Sequence, residues 1–177
     1  MIRSYNMTKT ILTFGFSLAT ILCIYMVYTV GQMYDNPAFN GNMFLGYLKQ
    51  FLLFSVVFFG VWYFRNKENN GSVTFLKALK IGSLTAFLAC SIYVIFGLFY
   101  YYIIVPDFID VYTALMLKSV PADQLAAKTV EMENFKQMFK NPLFATFITY
   151  MEVLPTGLVV ALLSAVILRK KAEILEQ

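Results

Sequence analysis

The sequence contains no histidine and only two cysteines in 177 residues, and charged side chains make up just 14% of it. Without histidine the chain has neither the commonest metal ligand nor the commonest general acid–base. Cys23 and Cys90 stand alone in apolar runs, with no CxxC and no metal-ligand spacing, so they read as small buried apolar residues. There is no glycine-rich phosphate loop, no nucleophile elbow and no pair of carboxylates within an apolar run. The expectation is therefore no catalytic residue, no metal, no bound cofactor, and a protein that is not an enzyme. The scarcity of charge is the largest departure. A soluble domain carries about a quarter charged residues. This one carries 59% hydrophobic and 18% aromatic residues, with a mean hydropathy of +0.66. Such a surface must face something other than water.

What is present is four long apolar runs. The hydrocarbon core of a bilayer is about 30 Å thick, so a helix rising about 1.5 Å per residue needs about 20 apolar residues to cross it. Residues 10–30, 44–64, 81–105 and 144–168 meet that requirement. None alternates apolar and polar residues, which excludes a membrane β-barrel. The first run follows Arg3 and Lys9 as a signal peptide would. It is longer than the about 7–15 apolar residues of a signal sequence and ends in no small-x-small cleavage site, so it reads as a retained helix. The expected fold is all-α: a single membrane domain over 1–177, an antiparallel bundle of four transmembrane helices.

The net charge of +4 is confined to the connections. Arg3 and Lys9 precede the first run, Arg65, Lys67, Lys77 and Lys80 separate the second and third, and Arg169, Lys170 and Lys171 follow the fourth. The stretch from Gly31 to Met43 has no basic residue and one acid, Asp35. The positive-inside rule then places both termini in the cytoplasm. No basic stripe with interleaved aromatics is present, so nucleic acid is not an expected partner. The lipid bilayer is. Tyr25, Tyr28, Tyr34 and Tyr100 to Tyr102 suit one interface, and Trp62 and Tyr63 the other; a ligand-binding aromatic cage at Tyr100–Tyr102 is the alternative reading of that triplet.

Residues 107–141 leave the membrane. Pro106 stops the third helix and Pro142 opens the fourth. Pro121 suits the first turn of a helix reaching to about Phe139, with Leu125, Met132, Phe135 and Phe139 at helical spacing among Lys128, Glu131, Lys136 and Lys140. This predicts an extracytoplasmic amphipathic helix between the third and fourth spans, covering the bundle or docking a partner.

Within the spans, small residues recur every fourth position: Gly15, Ala19 and Cys23; Gly82, Ala86 and Cys90; Gly157, Ala161 and Ala165. Such stripes let helices approach closely, and they suit one compact bundle or a homo-oligomer equally. Two residues place charge inside the runs. Lys49 stands 16 residues before Arg65, and Glu152 17 before Arg169. Both helices run the same way, so Lys49 and Glu152 share a depth and form a candidate intramembrane pair. A tie between helices, snorkelling to the headgroups, and a role in transport or proton relay are the three readings. Pro155 and Gly157, just after Glu152, form a candidate kink.

The stretch from Gly71 to Gly82 with Thr74, Lys77 and Lys80, the run Tyr100–Tyr102 into Pro106, Asp107 and Phe108, the segment Val130–Phe135, the Asn141–Pro142 step, and Leu154, Pro155, Thr156 and Gly157 together resemble domain-of-unknown-function family 4199. These are small four-span membrane proteins typical of Bacteroidota. The resemblance covers most of the chain. It implies a bacterial inner membrane and this topology, and no activity, cofactor or catalytic residue. Read from the residues alone, Thr74 suits the cap of the third helix, with Lys77 and Lys80 at an anionic leaflet. The function expected is that of a non-catalytic accessory or interaction component with an unknown membrane partner or a second copy. A small oligomeric transporter or channel using Glu152 and Lys49 is the alternative.

Overall fold

The computed structural model describes residues 2–36, 43–118 and 120–170. Six α-helices follow one another: α1 (Ile2–Asp35), α2 (Met43–Tyr63), α3 (Phe75–Phe99), α4 (Phe108–Lys118), α5 (Leu125–Phe139) and α6 (Pro142–Leu168). A π-helical turn extends α2 over Phe64–Glu68, and another extends α3 over Tyr100–Ile104. Four helical stretches are long and apolar enough to cross a membrane: Met7–Asp35, Phe44–Glu68, Phe75–Ile104 and Pro142–Leu168. The chain is thus an all-helical, multi-pass membrane protein.

The helices overrun the apolar runs that announce them, and the reason is local. Thr74 caps α3, its hydroxyl accepting from the Lys77 N–H at 3.4 Å, so the helix starts a turn and a half before the apolar run does. Lys77 and Lys80 then fall inside its first turns. Asn141 caps α6 by accepting from the Leu143 N–H at 2.9 Å, with Pro142 at the first helical position.

The four spans close into a ring in the order α1, α3, α6, α2, with α2 also touching α3 across the middle. Successive spans run antiparallel. The ring order nevertheless sets two parallel pairs side by side, α1 with α3 and α2 with α6. The closest approach is between α3 and α6, and small residues allow it. A Cβ on Gly82 would lie 2.9 Å from Ala161 Cβ, and one on Gly157 would lie 2.6 Å from the Phe54 ring and 2.9 Å from Ala86 Cβ. Gly15, Ala19, Gly82, Ala86, Cys90, Gly157, Ala161 and Ala165 are all buried, and Cys23 is half-buried. The stripes therefore build the bundle and are not free to build an oligomer.

The segment between α3 and α6 departs from the single helix expected there. Pro121 lies in a turn closed by the Gln124 N–H to Pro121 carbonyl bond at 3.0 Å, and the helix begins only at Leu125. Ahead of it stands a separate helix, α4. Its Phe108, Tyr112 and Leu115 recur at i, i+4 and i+7, a signal hidden by the brevity of the segment. The α4–α5 hairpin touches α1 through α4 and α6 through α5, bridging the diagonal of the ring. On α5, Met132 and Phe139 are buried and Phe135 half-buried, whereas Leu125 stays exposed.

Candidate functional site

The site grows out of an asymmetry in α2. Phe54, Val57, Gly60, Val61 and Phe64 are buried, whereas every residue from Phe44 to Lys49 is exposed. One half of α2 is held in the bundle and the other half stands on its surface. At the junction, the Gln50 side-chain amide donates to the Glu152 carbonyl at 3.1 Å and to Thr156 Oγ1 at 3.2 Å. These bonds fix α2 and α6 in register and set positions 49 and 152 level.

Level is as far as the expected pair goes. Among the described residues the ion pairs within 4 Å are Lys128–Glu131 and Lys136–Asp110, and Lys49–Glu152 is not one of them. The helix turns about 100° per residue, and Gln50 occupies the line facing α6. Lys49 therefore falls beside the contact. Lys49 shares the stripe of Gly60 and Tyr63, which meet Phe14 of α1, so it does not lie on the side of α2 that faces α6. α6 continues through Pro155, which is exposed, and Gly157 serves as the point where Phe54 and Ala86 approach the helix backbone.

Behind Glu152 lies a group of tyrosines. Tyr93, Tyr101 and Tyr112, from α3, its terminal π turn and α4, are within electrostatic reach of its carboxyl group. Tyr112 also lies within reach of Tyr47 on α2, and burial raises its phenol pKa. One turn deeper the face is sealed by the Phe54–Gly157–Ala86 contact.

The helical hairpin borders these tyrosines with aromatic rings. Tyr101 stacks on Phe108 at 4.2 Å between centroids, Tyr102 stacks on Phe139 at 6.2 Å, and Phe135 meets Tyr112, Phe139 and Phe144. The Tyr102 hydroxyl donates to the Phe139 carbonyl. Tyr101 and Tyr102 thus spend their faces on packing the hairpin, which leaves no open aromatic cage. A cleft of about 340 Å³ remains between the π turn and the hairpin, lined by Tyr101, Tyr102, Phe108, Asp110, Lys136 and Lys140. Lys136 is already tied to Asp110 at 2.5 Å, and that bond raises the ammonium pKa above the ordinary lysine value. Lys140 donates to Gln137 at 3.0 Å. Among the described residues, no three Cys, Asp or Glu side chains come together to hold a metal ion.

A family model for proteins of unknown function (DUF4199) matches residues 13–170, from early in α1 to the last described residue beyond α6. The chain belongs to that family. All four spans and the hairpin of this DUF4199 protein fall largely within the match. No curated protein and no solved structure matches the chain.

Two polar contacts of this DUF4199 protein escape sequence reasoning: Gln50 with Thr156, and the Tyr150 hydroxyl with Ser91 Oγ at 2.8 Å. The signal for both is simple. Each pair sits at matching depth on two runs that are otherwise apolar, and buried polar groups in lipid seek partners.

Proposed function

We propose that this chain is a non-catalytic accessory component of a bacterial inner membrane, with both termini cytoplasmic, that works by holding another membrane component against its α2–α6 face. The observation that carries the reading is the half of α2 from Phe44 to Lys49, largely apolar and exposed throughout, with Lys49 at its end and without an ion-pair partner within 4 Å among the described residues. Charge at membrane depth is costly unless paired or wetted. A surface that keeps such a charge open, beside an apolar half-helix, is suited to being covered. The orientation rests on the basic residues of the second connection and the C-terminal tail. The fold gathers these at one end of the bundle, where Val73 pairs with Lys170 through two backbone bonds of 2.9 Å.

Purification of the tagged full-length chain from native membranes into lipid nanodiscs tests the reading. A stoichiometric membrane protein, or a defined multimer of the chain, is the expected result. A lone monomer that turns over a substrate overturns it. The second reading, a small oligomeric transporter, is favoured by one observation: the Glu152 carboxyl lies within electrostatic reach of Tyr93, Tyr101 and Tyr112. Solute flux in liposomes that Glu152→Gln abolishes would replace the accessory reading with that one.

A further inference from the structure

We infer that the cleft between the π turn of α3 and the α4–α5 hairpin holds the headgroup of one anionic glycerophospholipid, with an acyl chain laid along the adjoining face of α3. Nothing in this assignment depends on what covers α2.

The cleft, about 340 Å³, lies where the apolar span Phe75–Ile104 ends, which is headgroup depth. Its floor and its rim differ in chemistry. Phe139 is buried and Tyr101 and Phe108 are half-buried, whereas Asp110 and Lys140 are exposed and Lys136 lies between. Two ammoniums and one carboxylate leave that rim with a net positive charge. The carboxylate is already taken, because Asp110 is held by Lys136. Asp107, close by in sequence, accepts from Tyr34 of α1 instead. No lining carboxylate is therefore left to receive a headgroup ammonium, which disfavours a zwitterionic lipid. The ammoniums themselves are not used up. Lys136 spends one proton on Asp110 and Lys140 one on Gln137, and each carries three. The remaining donors suit the oxygens of a phosphodiester.

The apolar half of the site lies along the same helix. Ile92, Ile95, Phe96 and Phe99 line an open groove on α3, and Ile95 and Phe99 are exposed. Ile95, Phe99 and Tyr102 stand at i, i+4 and i+7, so groove and cleft share a helix face. From Ile92 to Tyr102 the helix rises about 15 Å, half of the about 30 Å hydrocarbon core. The groove is thus as long as one leaflet is deep. The π turn between them, closed by the Val105 N–H on the Tyr100 carbonyl at 2.9 Å, is a helix irregularity of the kind found at functional sites. A free anion would use the rim and leave the groove empty. A bulk lipid would use the groove and ignore the rim. An amphiphile with a negative head uses both.

The test uses the full-length chain in phosphatidylcholine vesicles, with Ile95→Trp/Trp62→Phe supplying a single tryptophan in the groove. Lipids with brominated acyl chains quench it on contact. Brominated phosphatidylglycerol should quench at about twentyfold lower mole fraction than brominated phosphatidylcholine, as two lysines near one anionic headgroup require. Adding Lys136→Gln and Lys140→Gln together should erase that preference, and Lys140→Gln alone should cut it about fivefold. Lys136→Gln leaves Asp110 unpaired and can loosen the hairpin, which tyrosine dichroism would reveal. Lys140→Gln leaves that tie intact and then carries the test, with Lys140→Arg expected to retain the preference. Equal quenching by the two lipids overturns the inference, as does a preference that Lys140→Gln leaves unchanged. Loss of the quenching to millimolar inorganic phosphate would assign the cleft to a free anion and overturn the lipid.

Discussion

The two ends of this bundle are built by different physics. At the basic end the backbone itself makes the closure. Val73 and Lys170 exchange two hydrogen bonds, Arg65 Nη1 reaches the Leu168 carbonyl at 3.4 Å, and the Lys77 ammonium lies 4.7 Å from the Phe64 ring centre while donating to Asn69. The turn between α2 and α3 is tight, with Asn70 and Gly71 at φ of 52° and 74°, the left-handed region where glycine carries no Cβ penalty. At the other end no backbone bridge joins the described parts of the spans. A separate hairpin lies across them, held by stacked rings and by side-chain bonds such as Tyr34 to Asp107 at 2.9 Å. The first end is continuous with the core, whereas the second is an added part. An added part can come away without the core, and the exposed half of α2 lies beside it.

If that contrast is right, the largest single effect at the far end should also be local. Phe139 is buried and meets Tyr101, Tyr102, Phe108 and Phe135. Phe139→Ala should cost about 3–5 kcal/mol of local stability. Amide exchange should rise across α4 and α5 and leave α3 and α6 protected. Loss of protection in all four spans together would break the comparison, because it would make the hairpin part of the core.

The converse experiment strikes the core. Gly82→Ala brings a Cβ to 2.9 Å from Ala161 Cβ and 3.1 Å from its Cα, and backbone cannot move aside as a side chain end can. A cost of about 1–3 kcal/mol is expected, read as earlier unfolding of the whole bundle. A smaller change of opposite sign is expected one turn along. Thr85 is buried on α3 with a hydroxyl that finds no hydrogen-bond partner. Thr85→Val keeps the shape, removes the unmet group and should stabilise the bundle by about 1 kcal/mol. Destabilisation instead would point to a partner for that hydroxyl, such as a buried water.

Most of the fold was legible because lipid imposes it. Four runs of sufficient length, the proline stops at Pro106 and Pro142 and the cap at Thr74 all follow from the need to satisfy the backbone in an apolar solvent. The ring order was not legible. It depends on which small residues meet, and the stripes on α1, α3 and α6 are alike in sequence; only their mutual fit sets Gly82 on Ala161 and Gly157 between Phe54 and Ala86. The site was half legible. Counting residues puts Lys49 and Glu152 at one expected depth, but counting along a helix gives depth and not azimuth. The 100° step that hands the α6-facing position to Gln50 and leaves Lys49 beside it requires knowing which way α2 faces. The hairpin was misread for a related reason: α4 has too few residues to display a period, and Pro121 fits a turn as well as a first helical residue.

The smallest effect expected concerns the one ion pair that joins α4 to α5. Lys136 and Asp110 meet at 2.5 Å, and both side chains remain partly exposed to solvent. Such a pair contributes little, so Asp110→Asn should move the hairpin's melting only slightly. Its pH dependence is more informative than its size. The hydrogen bond from Lys136 to Asp110 holds the ammonium above its ordinary value of 10.5. A base whose pKa is raised by folding adds stability that is fully present below its unfolded pKa and is lost as pH rises through the folded one. The pair's contribution should therefore be flat from neutral pH to about pH 9 and fade only beyond the ordinary lysine range. Hairpin melting followed by near-ultraviolet tyrosine dichroism, with Asp110→Asn as the reference, reads this directly. A difference between the two proteins that disappears between pH 7 and 9 would mean that another group links α4 to α5. The far end would then be held by something other than its rings and this single tie.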